Sequence, residues 1–136
     1  MLPAWRAFAD EIRGELAVGC MAIRGATVDG ARLDVETVFG DGAQPERTLV
    51  RLVLDPPLPK PMDPASREAL TRLPPGTRDL VTELLASGKA MRIEPYQMEV
   101  EVAGPLEDPS TLRQRMATMI TLARRLRGAG AAGPYR

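Results

Sequence analysis

The chain has no histidine and a single cysteine among its 136 residues, and these two shortages remove most of the familiar chemistry at once. Without histidine there is no Ser-His-acid or Cys-His nucleophile arrangement, and the usual histidine-containing metal sites cannot form. Cys20, standing alone, can make neither an intrachain disulfide nor a cysteine-rich zinc site, which fits a cytoplasmic location. It falls where a helix gives way to a strand, where the helix dipole disfavours a thiolate, so it is expected as a buried core residue. No stretch reaches the roughly 20 apolar residues needed to span a bilayer. Asp10 and Glu11 stand where a secretory leader needs an apolar run, so neither export by that route nor a membrane span is expected.

Phosphate-binding loops are missing as well. Neither G-x-x-x-x-G-K-[ST] nor G-x-G-x-x-G occurs, and Gly40-Asp41-Gly42 lacks a third glycine and leads into a strand instead of a helix. Lysine is nearly absent: of 18 cations only Lys60 and Lys89 are not arginine. Compositional bias, with Ala, Gly and Pro abundant beside Arg, accounts for this more simply than anion recognition does.

A last absence concerns charge. No Asp or Glu follows Asp108, while Arg113, Arg115, Arg124, Arg125, Arg127 and Arg136 do, so residues 109–136 carry plus six. The first 108 residues set the other 12 cations against all 18 acids, which leaves minus six and a chain with no formal net charge. Such a split marks either a binding tail or a basic helix docked on an acidic body.

What is present is ordinary globular composition, 44% hydrophobic and 26% charged, in a length suited to one domain. Residues 1–127 are read as that domain, and 128–136 as a flexible C-terminal tail. In residues 3–17, Trp5, Phe8, Ala9, Ile12 and Leu16 recur at helical spacing, with Pro3 suited to a first turn. The period then changes to two. Strands are predicted over 21–28 and 31–39, joined by Asp29-Gly30, a pair suited to the positive φ of a tight hairpin. A third strand, 48–54, follows the turn at 40–45.

Five prolines in residues 55–64 exclude helix and ladder and predict an extended connector. Asp63-Pro64 then resembles a cap and first turn of a short helix to about residue 73. Pro74-Pro75-Gly76 breaks it, Thr77 can cap a second piece carrying Leu80, Val81, Leu84 and Leu85, and Gly88 is placed to end it in the left-handed conformation. Met91 and Ile93, then Tyr96, Met98, Val100 and Val102, alternate as two strands joined near Glu94-Pro95-Tyr96. Asp108-Pro109 opens a last helix, which Gly128 is expected to stop. The order α-βββ-α-ββ-α gives an α+β fold: a five-stranded antiparallel sheet with the N-terminal, interrupted middle and C-terminal helices on one face.

Candidate sites are few. Asp29, Asp34 and Glu36 form the best local acidic set, but Asp29 belongs to the turn. Glu99 and Glu101 read as solvent-facing alternation partners, so neither group is assigned a metal or acid/base role, and no cofactor is expected. On the last helix Leu112, Met116, Met119, Ile120, Leu122, Ala123 and Leu126 form a face about 160 degrees wide, around which the arginines scatter instead of clustering as a nucleic-acid helix requires. Arg124, Arg125 and Arg127 are placed in its last turn, where cations suit the dipole. This helix is expected to dock on the sheet.

The element order over residues 3–127 resembles that of type III secretion chaperones and related small chaperone-like proteins. That resemblance implies a dimer binding an extended protein segment without catalysis, and no binding residue carries over from it. The leading expectation is therefore a non-enzymatic, cytoplasmic protein-binding protein of bacterial type: an adaptor, a chaperone or an assembly subunit, self-associating as a homodimer. Trp5 and Phe8 are named as contacts to test, with core packing as their alternative use. A second reading is an anion or nucleic-acid binder through Arg113, Arg124 and Arg125, and a third is an enzyme using carboxylates, Tyr96 or a bound metal.

Overall fold

In the computed structural model, residues 2–17, 22–40, 45–59, 61–88, 90–103 and 108–132 are described. The elements run α1 (Leu2–Glu11), β1 (Glu15–Ala17), β2 (Ala22–Val28), β3 (Ala31–Phe39), β4 (Pro45–Val53), α2 (Arg67–Thr71), α3 (Pro75–Ser87), β5 (Ala90–Ile93), β6 (Gln97–Ala103) and α4 (Pro109–Ala132). All strands join one antiparallel sheet in the order β1-β2-β3-β4-β6-β5. The α+β class and the antiparallel sheet are as expected, but among the described residues the sheet has six strands and not five. Cys20, most of the 40–45 turn, the Gly104-Pro105 break and residues 133–136 of the expected tail lie outside the described residues.

The additional strand comes out of the segment read as one helix over 3–17. Arg13 adopts φ 56 and the Gly14 N–H donates to the Ala9 carbonyl across 2.8 Å, the bond that closes a helix C-terminus. Gly14 allows the chain to turn back against the sheet: a β-carbon there would stand 2.4 Å from Ile23 Cγ2. Glu15–Ala17 is thereby free to pair with β2 as an edge strand.

Asp29 and Gly30, at φ 50 and 79, make the expected hairpin, with Val28 opposite Ala31. Further along β2 the register runs from Ala26 opposite Leu33 to Ile23 opposite Val35, so Arg24 and Gly25 bulge against Asp34. The bulge has a packing consequence. Ile23 and Ala26 are three residues apart and would face opposite sides of a regular strand, yet both are buried. Gly25 takes φ 66, and its N–H donates to Asp34 Oδ1 at 2.7 Å.

One face of the sheet is buried: Leu33, Val35 and Thr37 from β3, Thr48, Val50 and Leu52 from β4, Met91 and Ile93 from β5, and Met98, Val100 and Val102 from β6. Over it lies α4, in contact with β4 and flanked by α1 and α3. All seven apolar residues of the α4 face are buried, as are Trp5, Phe8 and Ala9 of α1 and Val81 and Leu84 of α3. Burying a large apolar side chain contributes about 1.5–3 kcal/mol, so this layer outweighs any set of surface ion pairs.

Several local readings are corrected. The short helix is capped by Ser66, whose hydroxyl accepts from the Ala69 N–H, while the Asp63 carboxylate accepts from Ala65 in the turn before it. Arg78 reaches back from α3 to the carbonyls of Leu70, Thr71 and Leu73, satisfying the end of α2. α3 begins at Pro75 with Thr77 buried inside it, not capping it. Gly88 is extended at φ −117; a β-carbon there would sit tightly, 3.0 Å from the Leu84 carbonyl and 3.1 Å from that of Glu101.

The proline-rich connector is pinned to the β5–β6 hairpin: Leu54, Leu58 and Met62 donate their N–H groups to the carbonyls of Tyr96, Pro95 and Ile93. The Asp108 cap of α4 is as expected, its carboxylate accepting the N–H groups and hydroxyls of Ser110 and Thr111. The helix does not stop at Gly128, however, and continues to Ala132, so Arg124, Arg125 and Arg127 lie short of its final turn.

Two glycines should therefore respond oppositely to alanine. Gly14→Ala forces Ile23 and the adjoining backbone aside and should cost about 1–3 kcal/mol in urea unfolding. Gly128→Ala, with nothing within 4 Å of the added carbon, should gain up to about 1 kcal/mol.

The Asp108 cap predicts a pH effect. Hydrogen bonds from Ser110 and then Thr111 lower its pKa from 3.8 to about 2. The cap therefore contributes fully above its unfolded pKa, and the contribution is lost as pH falls from 3.8 towards 2. Thermal unfolding followed by circular dichroism should show a smaller loss of stability over that window in Asp108→Asn, which caps without titrating, than in the parent chain.

Candidate protein-contact surface

Strand alternation that buries one face of the sheet necessarily presents the other set of residues opposite it. Arg32, Asp34, Glu36 and Val38 of β3, Leu49, Arg51 and Val53 of β4, Ala90 and Arg92 of β5, and Gln97, Glu99 and Glu101 of β6 form this second face, and none of them is buried. Cross-strand register orders its charges. Asp34 is opposite Arg51, Arg51 opposite Glu99, and Glu99 opposite Arg92, so one row across four adjacent strands alternates negative, positive, negative, positive.

Arg51 organises the row. Its Nε donates to Glu99 Oε2 and its Nη1 to Glu36 Oε2, each at 2.7 Å. The Glu36 bond, then that of Glu99, raises its already high pKa against partial burial. Arg47 pairs with Glu101, although its buried Nε has no acceptor. Leu49 sits between these pairs, directly opposite Glu36 on one side and Glu101 on the other. A shallow groove of about 360 Å³ runs over Leu49, Ala90 and the surrounding Arg and Glu side chains.

The same bonds decide the chemistry of the candidate acids. Glu36 and Glu99 serve Arg51, Glu101 serves Arg47 and Asp34 serves the Gly25 bulge. Among the described residues no group of three His, Cys, Asp or Glu is placed to hold a metal ion. Glu99 and Glu101 face outward as read, but as ion-pair partners and not as merely solvated groups. Arg47 and Arg51 carry the face and were passed over in sequence, because a lone Arg between Leu49 and Val53 reads as an interruption. Register was the missing information.

The residues proposed as contacts are not brought together. Trp5 and Phe8 are core residues, 6% and 2% exposed, with rings edge to face at 6.1 Å, so they offer no surface to a partner. Arg113 donates Nε and Nη2 to the two oxygens of Glu11 at 2.8 and 2.9 Å and lies 5.2 Å from the Phe8 ring centre. That bond lowers the Glu11 pKa and raises that of Arg113. Arg124 donates to the Asp29 carbonyl at 3.2 Å. Arg125 is exposed and reaches over Gly76, its Nη1 2.8 Å from where a β-carbon would stand. Each of the three arginines meets a different part of the body.

Arg51→Met should lower stability by about 1 kcal/mol, as the sum of two partly exposed pairs worth about 0.2–1 kcal/mol each. A double-mutant cycle with Glu99→Gln, read by urea unfolding, should return a positive coupling energy; additivity of the two changes would show that the pair contributes nothing.

Of the known proteins compared with this chain, no family model, no curated protein and no solved structure matches it.

Proposed function

We propose that this chain is a non-catalytic protein-binding protein, an adaptor, chaperone-like factor or assembly subunit, and that it works as a homodimer joined through the uncovered face of its sheet. The alternating row Asp34-Arg51-Glu99-Arg92 carries the reading. A two-fold axis parallel to the strands and between β4 and β6 would lay Arg51 over the second copy's Glu99 and Asp34 over its Arg92. Every contact in the row would then join opposite charges, which is the self-complementarity a two-fold interface demands. Half-buried Leu49 and exposed Val53 supply apolar area beside it. The element order supports the chaperone-like form of this reading.

The nucleic-acid reading draws less support. Arg113 is bonded to Glu11, Arg124 to the carbonyl of Asp29, and Arg125 reaches over Gly76, so the three do not form one phosphate-tracking surface.

Sedimentation velocity tests the proposal. The parent chain should sediment as a dimer that weakens with added salt. Arg92→Glu, which within one copy removes the exposed Glu94 pair and sets a like charge opposite Glu99, should shift it to monomer while the monomer stays folded by circular dichroism. Arg51→Glu and Glu99→Arg should each impair self-association, while their mixture restores it as a heterodimer. A parent that stays monomeric at about 100 μM, or a dimer indifferent to Arg92→Glu, would refute the interface.

A further inference from the structure

A second surface feature lies at the end of the sheet, where the β2–β3 turn, the chain leaving β4 and the fourth and fifth turns of α4 meet. It is a cleft of about 190 Å³, below the roughly 300–1,000 Å³ of pockets for drug-sized ligands. Leu52, Ile120 and Ala123 line its apolar part, and Asp29, Asp55, Arg124 and Arg127 are the charged groups on which its chemistry turns, with Arg32 also present.

The disposition of those charges is unusual. Arg124 Nη2 donates to the backbone carbonyl of Asp29 at 3.2 Å, and Arg127 Nη1 donates to that of Asp55 at 3.0 Å. The arginines thus bind the main chain of the two aspartates and not their carboxylates. Among the described residues neither carboxylate has a hydrogen bond or an ion pair. Backbone anchoring holds both guanidiniums in place while leaving most of their five donors each for another acceptor. The cleft therefore presents anchored donors, and carboxylates without a partner among the described residues, around apolar side chains.

We infer that this cleft binds a free α-amino acid with an aliphatic side chain. The ligand's carboxylate would meet Arg124 and Arg127, its ammonium would meet Asp29 and Asp55, and its side chain would lie against Ala31 and Val53, the accessible apolar lining above the buried Leu52, Ile120 and Ala123. A simple anion such as phosphate is opposed by the two aspartates, and a simple cation by the arginines. A zwitterion satisfies both at once, because opposite charges placed a few ångströms apart match the pairing demanded by a small site. A nucleotide exceeds the volume. The inference is independent of self-association, since none of the four charged groups belongs to the alternating row.

Amide-resolved NMR titration of the full chain with L-leucine tests it. Saturable shifts are expected at Asp29, Gly30, Asp55, Arg124 and Arg127. N-acetyl-leucine, which lacks the ammonium, leucine amide, which lacks the carboxylate, and inorganic phosphate should each bind about tenfold more weakly or worse, the loss of one charge-assisted contact. Asp55→Asn preserves the backbone carbonyl that holds Arg127 and should reduce leucine affinity by a similar factor, as should Arg127→Gln. The inference fails if no saturable shift appears by about 10 mM leucine, if phosphate or either leucine derivative binds as well as leucine, or if Asp55→Asn binds it normally.

Discussion

The apolar stripe of α4, seated on the sheet, is the constraint on which the rest of the molecule depends. Leu112, Met116, Met119, Ile120, Leu122, Ala123 and Leu126 are all buried, and the helix lies over β4 in the middle of the strand order. Its position decides which face is core, and strand alternation then decides which side chains must face outward. It also sets the seats of its neighbours, since α1 and α3 pack against α4 as well as beside the strands. The seven residues of its apolar stripe are spent on the domain's own core.

The outward face shows how ion pairs can be more informative than they are stabilising. Each is worth little in water-exposed surroundings, and the fold would survive without any one of them. Their arrangement, however, is specific. Arg51 holds Glu36 and Glu99 at once, Arg47 holds Glu101, and the row through Arg51 alternates in sign across four strands. A face already neutralised within one copy attracts neither a strongly acidic nor a strongly basic partner. In the homodimer proposed above, a second copy turned by half a revolution would set opposite charges together at every strand of the row.

How much of this was legible in the sequence depended on the range of the interaction. The α4 stripe, the Asp108 cap, the Asp29-Gly30 hairpin and the β5–β6 pair follow from local periodicity and turn chemistry, and they stand where expected. The end of α1 was also written locally, in Arg13-Gly14, but the apolar spacing continues to Leu16 and reads as one helix. What ends it there is the tight approach of Gly14 to Ile23, a contact across elements. Gly88 is similar: its extended backbone is crowded by the carbonyls of Leu84 and Glu101, and no local rule distinguishes that from a left-handed cap. The candidate contact surface was the least legible part, because Arg51 becomes significant only when register places Glu36 and Glu99 beside it.

The charge split at Asp108 acquires a different meaning from the same argument. A basic helix on an acidic body suggests pairing of guanidinium with carboxylate, and Arg113 follows that pattern with Glu11. Arg124 and Arg127 instead fasten the helix to main-chain carbonyls at two loops. A carbonyl satisfies a donor without cancelling its charge, so these guanidiniums anchor the helix and still project a positive field into the cleft they line. Asp29 and Asp55 meet these arginines through their backbones and not through their side chains. For these two arginines the charge split along the chain therefore resolves into main-chain anchoring of the helix at two loops, and not into guanidinium–carboxylate pairs.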